Sequence, residues 1–206
     1  MNQSKASYYA EVIFYPVFAT AVVSADMVAN DSAPRWFWLI ICFLGIYLWT
    51  LVEYLLHRFV LHKVPVIRLL HAMHHAQPSA YIGTPLWVSF LGFTSISFAP
   101  LWWIGDFEIA SGVNCGLIIG YVWYLVIHDA VHRWPLSENS WIRKARLRHL
   151  RHHHTSEPGG NFGVTTDFWD GVFLTKISKR YPDYKGEPRS RGAAMLINNP
   201  RTSPRK

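Results

Sequence analysis

The chain has 206 residues, of which 50% are hydrophobic, 16% aromatic and only 16% charged, which is richer in apolar residues and poorer in charge than an ordinary soluble domain. The formal net charge of +7 could suggest a nucleic-acid partner. The distribution of the basic residues along the chain, however, explains the charge without one. Cys42 and Cys115 lie in separate apolar runs without a CxxC partner, which argues against a disulfide framework and a thiolate metal site.

Four runs are long and apolar enough to cross a bilayer as helices, since a hydrocarbon core of about 30 Å needs roughly 20 residues. They lie at 12–30, 36–56, 85–104 and 112–132. The first is the weakest, because it contains Pro16 and Asp26, and Pro100 is expected to kink or end the third. The predicted fold is therefore all-α, an integral membrane four-helix bundle over residues 1–175, followed by a basic, flexible C-terminal tail over 176–206.

The basic residues indicate the orientation of this bundle, because cytoplasmic loops carry an excess of lysine and arginine. If the N-terminus is cytoplasmic, the loops at 31–35 and 105–111 face outward and contain Arg35, while the other 19 of the 20 basic residues lie inside. We therefore expect both termini in the cytoplasm and the cationic side chains near anionic membrane lipid. With this topology all histidines form a cap on the cytoplasmic side.

The 11 histidines are concentrated in four short motifs. HDAVH places His128 and His132 on one face of a helix at the end of the fourth run. Two motifs, HAMHH and HLRHH, share the spacing i, i+3, i+4 and predict three-histidine patches; their members are His71, His74 and His75, and His149, His152 and His153. HRFVLH is the exception, because His57 and His62 lie roughly 140° apart around an α-helix. Both can serve only through a helix break, a π-bulge, or two different metal ions.

Four histidine clusters on one membrane face indicate a metal site, since crowded imidazoles without partners near a membrane would be unfavourable in free energy. Ten imidazoles exceed the four ligands of one zinc ion, so two ions with four to five ligands each are predicted, although imidazole suits Zn, Cu, Fe and Ni alike. His154 lies outside the repeated spacing and is expected to face solvent or to lie beside the ligands. The nearby carboxylates are predicted to orient imidazole N–H groups rather than to bind metal; they are Glu53, Asp129, Asp167 and Asp170.

The motifs HRFVLH, HAMHH, HDAVH and HLRHH, followed by NFGVTTDFWDGVF, resemble the fatty acid hydroxylase and sterol desaturase superfamily over residues 50–175. The resemblance implies a membrane bundle in which two iron ions activate dioxygen at the cytoplasmic face, with zinc as an alternative occupant in a purified sample. It implies ten metal ligands, which are His57, His62, His71, His74, His75, His128, His132, His149, His152 and His153.

Within this superfamily, NFGVTTDFWD is similar to the segment that follows the last histidine motif in fatty acid 2-hydroxylases, and the chain looks closest to their bacterial relatives. A bacterial inner membrane is therefore the expected location. The resemblance implies a monooxygenase that hydroxylates an alkyl C–H of a lipid or fatty acyl chain, with electrons expected from a separate donor protein. HDAVHRWP also resembles carotenoid hydroxylases, so a carotenoid hydroxylase, or a lipid or sterol desaturase using the same site, stays open as an alternative.

Three further features are predicted around the site. An apolar slot between the spans would admit an acyl chain, with Trp87, Phe90 and Trp123 as candidate lining residues. Residues 137–151 are expected to form a helix on the membrane interface, and the loop at 159–161 is expected to close over the metals.

A non-enzymatic metal-binding or transport protein is the remaining alternative. Transporters bind their ions near the bilayer midplane, whereas the third run contains no ionisable residue and the predicted ligands cluster at one edge. The sequence therefore favours an enzyme.

Overall fold

The computed structural model describes residues 3–29, 34–137, 140–154 and 159–177. These residues form helices and their connections, and four of the helices are long and apolar enough to cross a membrane. They are Lys5–Ala29, Arg35–Leu61, Leu86–Ile104 and Phe107–Arg133. The four predicted spans and the all-α integral membrane fold are thus confirmed. The predicted tail lies almost entirely outside the described residues and stays a prediction.

The chain order of the helices is as follows. The first two spans are α1 (Lys5–Ala29) and α2 (Arg35–Leu55), and α2 continues as a π-helical segment, Leu56–Leu61. The third span joins α4 (Leu86–Leu91), a second π-helical segment (Gly92–Phe98) and α5 (Ala99–Ile104). The other helices are α3 (Pro65–Ala76), α6 (Phe107–Arg133), α7 (Trp141–His154) and α8 (Phe168–Val172).

The spanning helices expose apolar side chains and bury polar ones, as expected in lipid. Ile96, Trp103 and Ile104 are 81–91% exposed. Asp26, which made the first run look weak, is 2% exposed and accepts a hydrogen bond from Ser111 Oγ at 3.0 Å. Burial with a partner is the usual condition for a carboxylate inside a span, so the first helix tolerates it.

Helices α2 and α6 cross closely because glycines face each other. A Cβ added at Gly116 would lie 2.8 Å from the Cα of Gly45, nearer than real Cβ contacts. Small residues permit such close crossings in membranes, where lipid gives no hydrophobic drive for association. Cys42 and Cys115 are free, buried thiols in these two helices, which agrees with the absence of a predicted disulfide.

Two π-helical segments lie where the sequence departs from a regular α-helical pattern, at the His57–His62 spacing and before Pro100. The first begins at Leu56 and ends just before His62. Of the three alternatives left open for His57 and His62, the structure therefore has the π-helical one, and both rings lie in one group. The second precedes Pro100, and the Ala99 N–H bonds to the carbonyl of Thr94, five residues earlier. This wider pattern relieves the clash between a proline ring and the carbonyl four residues before it. The third span therefore continues through Pro100 instead of ending there.

Arg133 joins the end of α6 to α1 and to the loop before the third span. Its guanidinium carbon lies 4.7 Å from the ring centroids of both Tyr8 and Tyr81. It also donates to the Asp129 carboxylate and to the Ala80 carbonyl, the latter at 3.0 Å. A cation held between two rings and a carboxylate fixes three segments together.

The close crossing of α2 and α6 predicts a position-specific effect of one methyl group. Gly116→Ala forces the two backbones apart, and we expect a loss of roughly 1–3 kcal/mol in the free energy of unfolding, measured by denaturation in detergent. Gly92→Ala is the matched control, because no atom lies within 4 Å of its added Cβ. Equal stabilities for the two variants would contradict this packing.

Candidate metal centre

Nine histidines form two groups at one end of the bundle, and in each group the ligand nitrogens all lie within 4.8 Å of one another. The first group contains His57, His62, His71, His75 and His152. The second contains His74, His132, His149 and His153. The two groups adjoin, because the rings of His75 and His153 are stacked with their centroids 4.2 Å apart. Each HxxHH motif thus divides its histidines between both groups.

The first group has the nitrogen spacing of a coordination shell. The Nε2 atom of His71 lies 3.1 Å from that of His57, 3.1 Å from that of His62 and 3.0 Å from that of His75. The Nε2 atom of His152 lies 3.1 Å from that of His75. Ligands at right angles on an ion about 2.1 Å away are separated by about 3 Å. The observed spacing fits that requirement.

The tautomers of two imidazole rings also support a metal-binding arrangement. The Nδ1 atoms of His57 and His152 face the carbonyl oxygens of Phe162 and Gly160, at 2.5 and 2.9 Å. A carbonyl can only accept, so each Nδ1 carries the proton and each Nε2 carries a lone pair. These lone pairs point at neighbouring imidazoles in a buried site. A cation between them would satisfy both, and the histidine groups are therefore compatible with metal binding.

The second group is similar but leaves more ring nitrogens without partners. The Nε2 atom of His149 lies 2.9 Å from that of His132 and 3.0 Å from that of His153. Across the described residues, His74 Nε2 and the Nδ1 atoms of His149 and His153 are buried without a hydrogen-bond partner. His74 Nε2 therefore has an unused ligand position that a bound ion would satisfy.

His128 is the remaining predicted ligand, and it borders the second group without belonging to it. Its ring centroid lies 4.7 Å from that of His74, 4.8 Å from that of His132 and 4.9 Å from that of His149. His154, in contrast, is exposed, and its Nδ1 faces the Leu150 carbonyl at 2.7 Å. The separation of His154 from the other histidines agrees with its spacing in the sequence.

Burial keeps the imidazoles neutral, which is the form that binds metals. It lowers the pKa of His74 to about 3, of His75 to about 4 and of His152 to about 3. Neighbouring imidazoles lower these pKa values further, because each positive ring would repel the next. At neutral pH each of these three rings therefore carries a single N–H proton and no charge.

The four carboxylates do not orient imidazole N–H groups directly, so that prediction was wrong. Within the described residues, Glu53 accepts from the backbone N–H groups of Val164 and Thr165, at 2.6 and 3.0 Å. Asp129 accepts from Arg133, and Asp167 pairs with Lys176. The groups that orient imidazoles are backbone carbonyls, which composition and spacing do not reveal.

Asp170 holds the loop that supplies those carbonyls. The side chain is fully buried, and its carboxylate accepts from the N–H groups of Phe162 and Gly163 at 2.9 and 2.8 Å and from Thr175 Oγ1 at 2.7 Å. Asn161 adopts a positive φ of 56°, a conformation that Asn tolerates better than most residues. The loop predicted to cover the site thus contacts His57 and His152 through its backbone.

Helix α7 confirms part of the prediction for residues 137–151. His149 and His152 are 1% and 2% exposed and face the site, while Trp141 on the same helix is 50% exposed. Arg146 donates to the carbonyls of Val131 and Ala130, at 2.8 and 3.0 Å. Because the last carbonyls of a helix lack partners within it, Arg146 caps α6 and docks α7 beside it. The sequence pattern does not indicate this role of Arg146.

An apolar cavity of about 380 Å³ lies between α1, α2 and α6. Its walls include Ile46, Ile118, Trp123 and Thr165. Thr165 also donates its hydroxyl to Glu53 at 2.5 Å, one helical turn before His57. The cavity is linked to the histidine site through the loop that contains Thr165, because the Phe162 carbonyl of the same loop faces His57.

Two of the three predicted slot residues lie elsewhere. Trp123 lines the cavity, but Trp87 is 65% exposed, and the Phe90 ring packs against those of Phe14 and Phe18 at 5.7 and 5.4 Å between centroids. The prediction for Trp87 and Phe90 was wrong, because side-chain direction around an apolar helix cannot be read from composition.

A model of the fatty acid hydroxylase family matches residues 42–175, well over half of the chain. The chain belongs to the fatty acid hydroxylase family. The resemblance drawn from the histidine motifs is thereby confirmed. A solved structure described as full-length scs7p, with only the hydroxylase domain visible, matches this family member with a TM-score of 0.70 and 26% identity, over 85% of this chain and 69% of the other.

The relatives that the chain matches include proteins named as hydroxylases. The fatty acid 2-hydroxylase of Macaca fascicularis is 31% identical over 149 residues, 66% of this chain and 39% of its own length. The ceramide very long chain fatty acid hydroxylase SCS7 of Saccharomyces cerevisiae is 34% identical over 161 residues, 68% of this chain and 40% of its own length. The chain thus spans about two fifths of the length of these relatives.

The two aspartates of TTDFWD allow a test of the loop anchor. Asp170→Asn removes a charged acceptor from three buried donors, and we expect a loss of about 1.5–3 kcal/mol in the free energy of unfolding. Because the loop orients two imidazoles, metal affinity should fall roughly 10–100-fold, measured by competition with a chelator. Asp167→Asn removes only a partly exposed ion pair with Lys176 and should change both by little. Similar losses for both variants would refute the anchor.

Proposed function

We propose that this chain is a membrane di-iron enzyme that hydroxylates an alkyl C–H of a lipid or fatty acyl chain. The observation that carries the proposal is the convergence of lone-pair-bearing imidazole nitrogens in two adjoining groups, beside an apolar cavity. The names of the relatives, fatty acid 2-hydroxylase and ceramide fatty acid hydroxylase, support lipid as the substrate class.

Each histidine group would hold one ion. The first ion would bind the five histidines of the first group. The second would bind the four histidines of the second group and His128. The His128 ring lies within 4.9 Å, between centroids, of three of these four rings. Bound iron would supply the activation of dioxygen and the oxidising power that an alkyl C–H requires. Zinc suits the same imidazoles but has no redox chemistry, so it would occupy the site without supporting oxidation.

The protein's own residues would position the substrate and exclude water. An alkyl chain suits the cavity between α1, α2 and α6, because its walls are mostly apolar and include the Trp123 ring. The hydroxyl of Thr165 donates its only proton to Glu53, so it cannot also donate to water in the cavity. The carbonyls of Gly160 and Phe162 would keep two imidazoles in the tautomer that binds metal.

The asymmetry of basic residues supports a cytoplasmic location of the histidine groups. A separate reductant protein would then deliver electrons on the same side, where α7 carries four Arg and Lys residues before its first histidine and Arg151 after it. Both histidine groups lie at one end of the spans, which favours an enzyme over a transporter.

The proposed reaction can be tested in lipid extracts from cells that express the chain. We expect species heavier by one oxygen atom in cells with the unaltered chain. His149→Ala should abolish them, because His149 is 1% exposed and lies within the second group. The measurement is mass spectrometry of total lipids, with oxygen-18 gas to show that the added atom comes from dioxygen.

His154→Ala is the control, since His154 is exposed and lies outside both groups, and it should leave product levels near those of the unaltered chain. A loss of two hydrogens instead of a gain of oxygen would identify a desaturase. An oxidised carotenoid would identify a carotenoid hydroxylase. Identical lipid compositions in cells with and without the chain would refute an oxygenase altogether.

The metal content provides an independent test of the ligand assignment. The purified, iron-loaded chain should contain two ions, measured by elemental analysis against protein concentration. His71→Ala removes the nitrogen that contacts three others in the first group and should lower the content towards one ion. His154→Ala should retain both ions. One ion in the unaltered chain, or two retained in His71→Ala at limiting iron, would contradict the assignment.

A further inference from the structure

A row of aromatic rings leads from the histidine groups into the core of the spans. The Tyr124 ring is stacked on His128, with centroids 5.4 Å apart and planes at 19°. Trp49 lies 6.2 Å from Tyr124, and Tyr121 lies 5.1 Å from Trp49. Tyr121 and Tyr124 are also stacked with each other at 6.3 Å. Neighbouring rings are therefore in packing contact along the whole row.

The row ends at a buried carboxylate. The Tyr121 hydroxyl donates to Glu11 Oε2 at 2.7 Å, and Glu11 is 4% exposed. The Ser89 hydroxyl donates to the other oxygen of Glu11, and the Tyr15 hydroxyl bonds to Ser89 Oγ at 2.8 Å. Both oxygens of Glu11 thus act as acceptors, so Glu11 is placed to receive the phenolic proton of Tyr121. An ionisable side chain within a span is costly and usually functional.

Trp49 differs from the two tyrosines in its polar atom. It is 5% exposed, and its Nε1–H has no hydrogen-bond partner within the described part of the chain. Buried donors without a partner are rare, and a redox role is one explanation for them. An indole that loses an electron keeps its proton when no acceptor is present, so it passes the oxidation on. Trp49 is therefore suited to pass an electron on from the middle of a path. Tyr121, whose hydroxyl bonds to Glu11, is suited to be its end.

We propose that Tyr124, Trp49 and Tyr121 form a protective electron relay for the metal centre. The inference rests on the proposed function, because the electron acceptor is the dioxygen-derived oxidant at that centre. In one event, the centre gains one electron through Trp49 and Tyr124. Tyr121 loses that electron and becomes a phenoxyl radical, while its phenolic proton moves to Glu11. One electron from a soluble reductant and return of the proton restore Tyr121.

The relay would act when the cavity lacks a lipid and the oxidant has no C–H bond to attack. It would draw the oxidation away from the imidazoles, which are next to the centre and would otherwise be damaged. The apolar rings that pack the core would thus have a second role, and Glu11 would have a reason to be buried in a span.

Electron paramagnetic resonance tests the relay in the iron-loaded full chain, exposed to oxygen and dithionite-derived electrons without added lipid and then frozen. We expect a tyrosyl signal whose hyperfine pattern changes when the tyrosines carry ring deuterium. Tyr121→Phe keeps the ring but removes the hydroxyl group, so no phenolic proton can move to Glu11. This variant should lose the signal. Glu11→Gln keeps an acceptor oxygen but removes the base, and it should lower the yield of the radical.

Tyr15→Phe is the matched control, because Tyr15 is equally buried and joins the same network through Ser89 but does not bond to Glu11. It should retain the signal. A radical of unchanged yield in Tyr121→Phe would overturn the relay. So would the absence of any protein radical in a preparation that hydroxylates a total lipid extract.

Hydroxylation of the lipid extract is therefore measured on every preparation. A chain that binds two irons but never adds oxygen to lipid refutes the proposed function, and the relay with it. A chain that hydroxylates lipid but shows no Tyr121 radical refutes the relay alone. A second readout is peptide mass spectrometry after repeated oxygen exposure, in which oxidised His128 should accumulate faster in Tyr121→Phe than in Tyr15→Phe.

Discussion

Neutral imidazoles direct lone pairs at one another at one end of the bundle, and a cation bound between them would stabilise this arrangement. His57 and His152 donate their only protons to carbonyls, so their Nε2 atoms face other histidines as acceptors. Burial keeps the rings neutral, since a charged ring in this setting would lose its hydration and repel its neighbours. Neutral rings with free lone pairs are the form that binds metal ions, so the same features make these histidines compatible with a metal site.

The remainder of the fold delivers these rings from four separated segments. The glycine crossing brings α2 beside α6, and the π-helical segment after α2 turns His62 towards the site that His57 faces. Arg146 docks α7 on the end of α6. Asp170 and Glu53 fix the loop from Gly160 to Thr165, whose carbonyls hold two imidazoles. Each contact is local, and together they bring the two groups to one end of the bundle.

Much of this arrangement could be predicted from periodicity. The HxxHH spacing predicted the faces of α3 and α7, and the five-residue interval between His57 and His62 predicted a departure from α-helical geometry. The division of each HxxHH motif between two groups could not be predicted, because it depends on how α3 and α7 approach each other. The carboxylates were assigned the wrong partners for a related reason. Sequence separation does not show that a backbone loop lies between Glu53 or Asp170 and the imidazoles.

The apolar core shows the same limit. Composition identified aromatic residues near the site, but it could not distinguish Trp123, which lines the cavity, from Phe90, which packs against α1. Nor could it reveal that Tyr124 stacks on His128 or that Tyr121 bonds to Glu11. These contacts arise from the packing of α1, α2 and α6, and they connect the metal site to a polar network deep in the spans.

X-ray absorption at the iron edge of the loaded chain tests the central claim most directly. The account predicts a first shell made almost entirely of imidazole nitrogen, with the multiple scattering of several rings per iron and a second iron among the nearby scatterers. A shell dominated by oxygen or sulfur, or an isolated iron bound by one or two imidazoles, would contradict it.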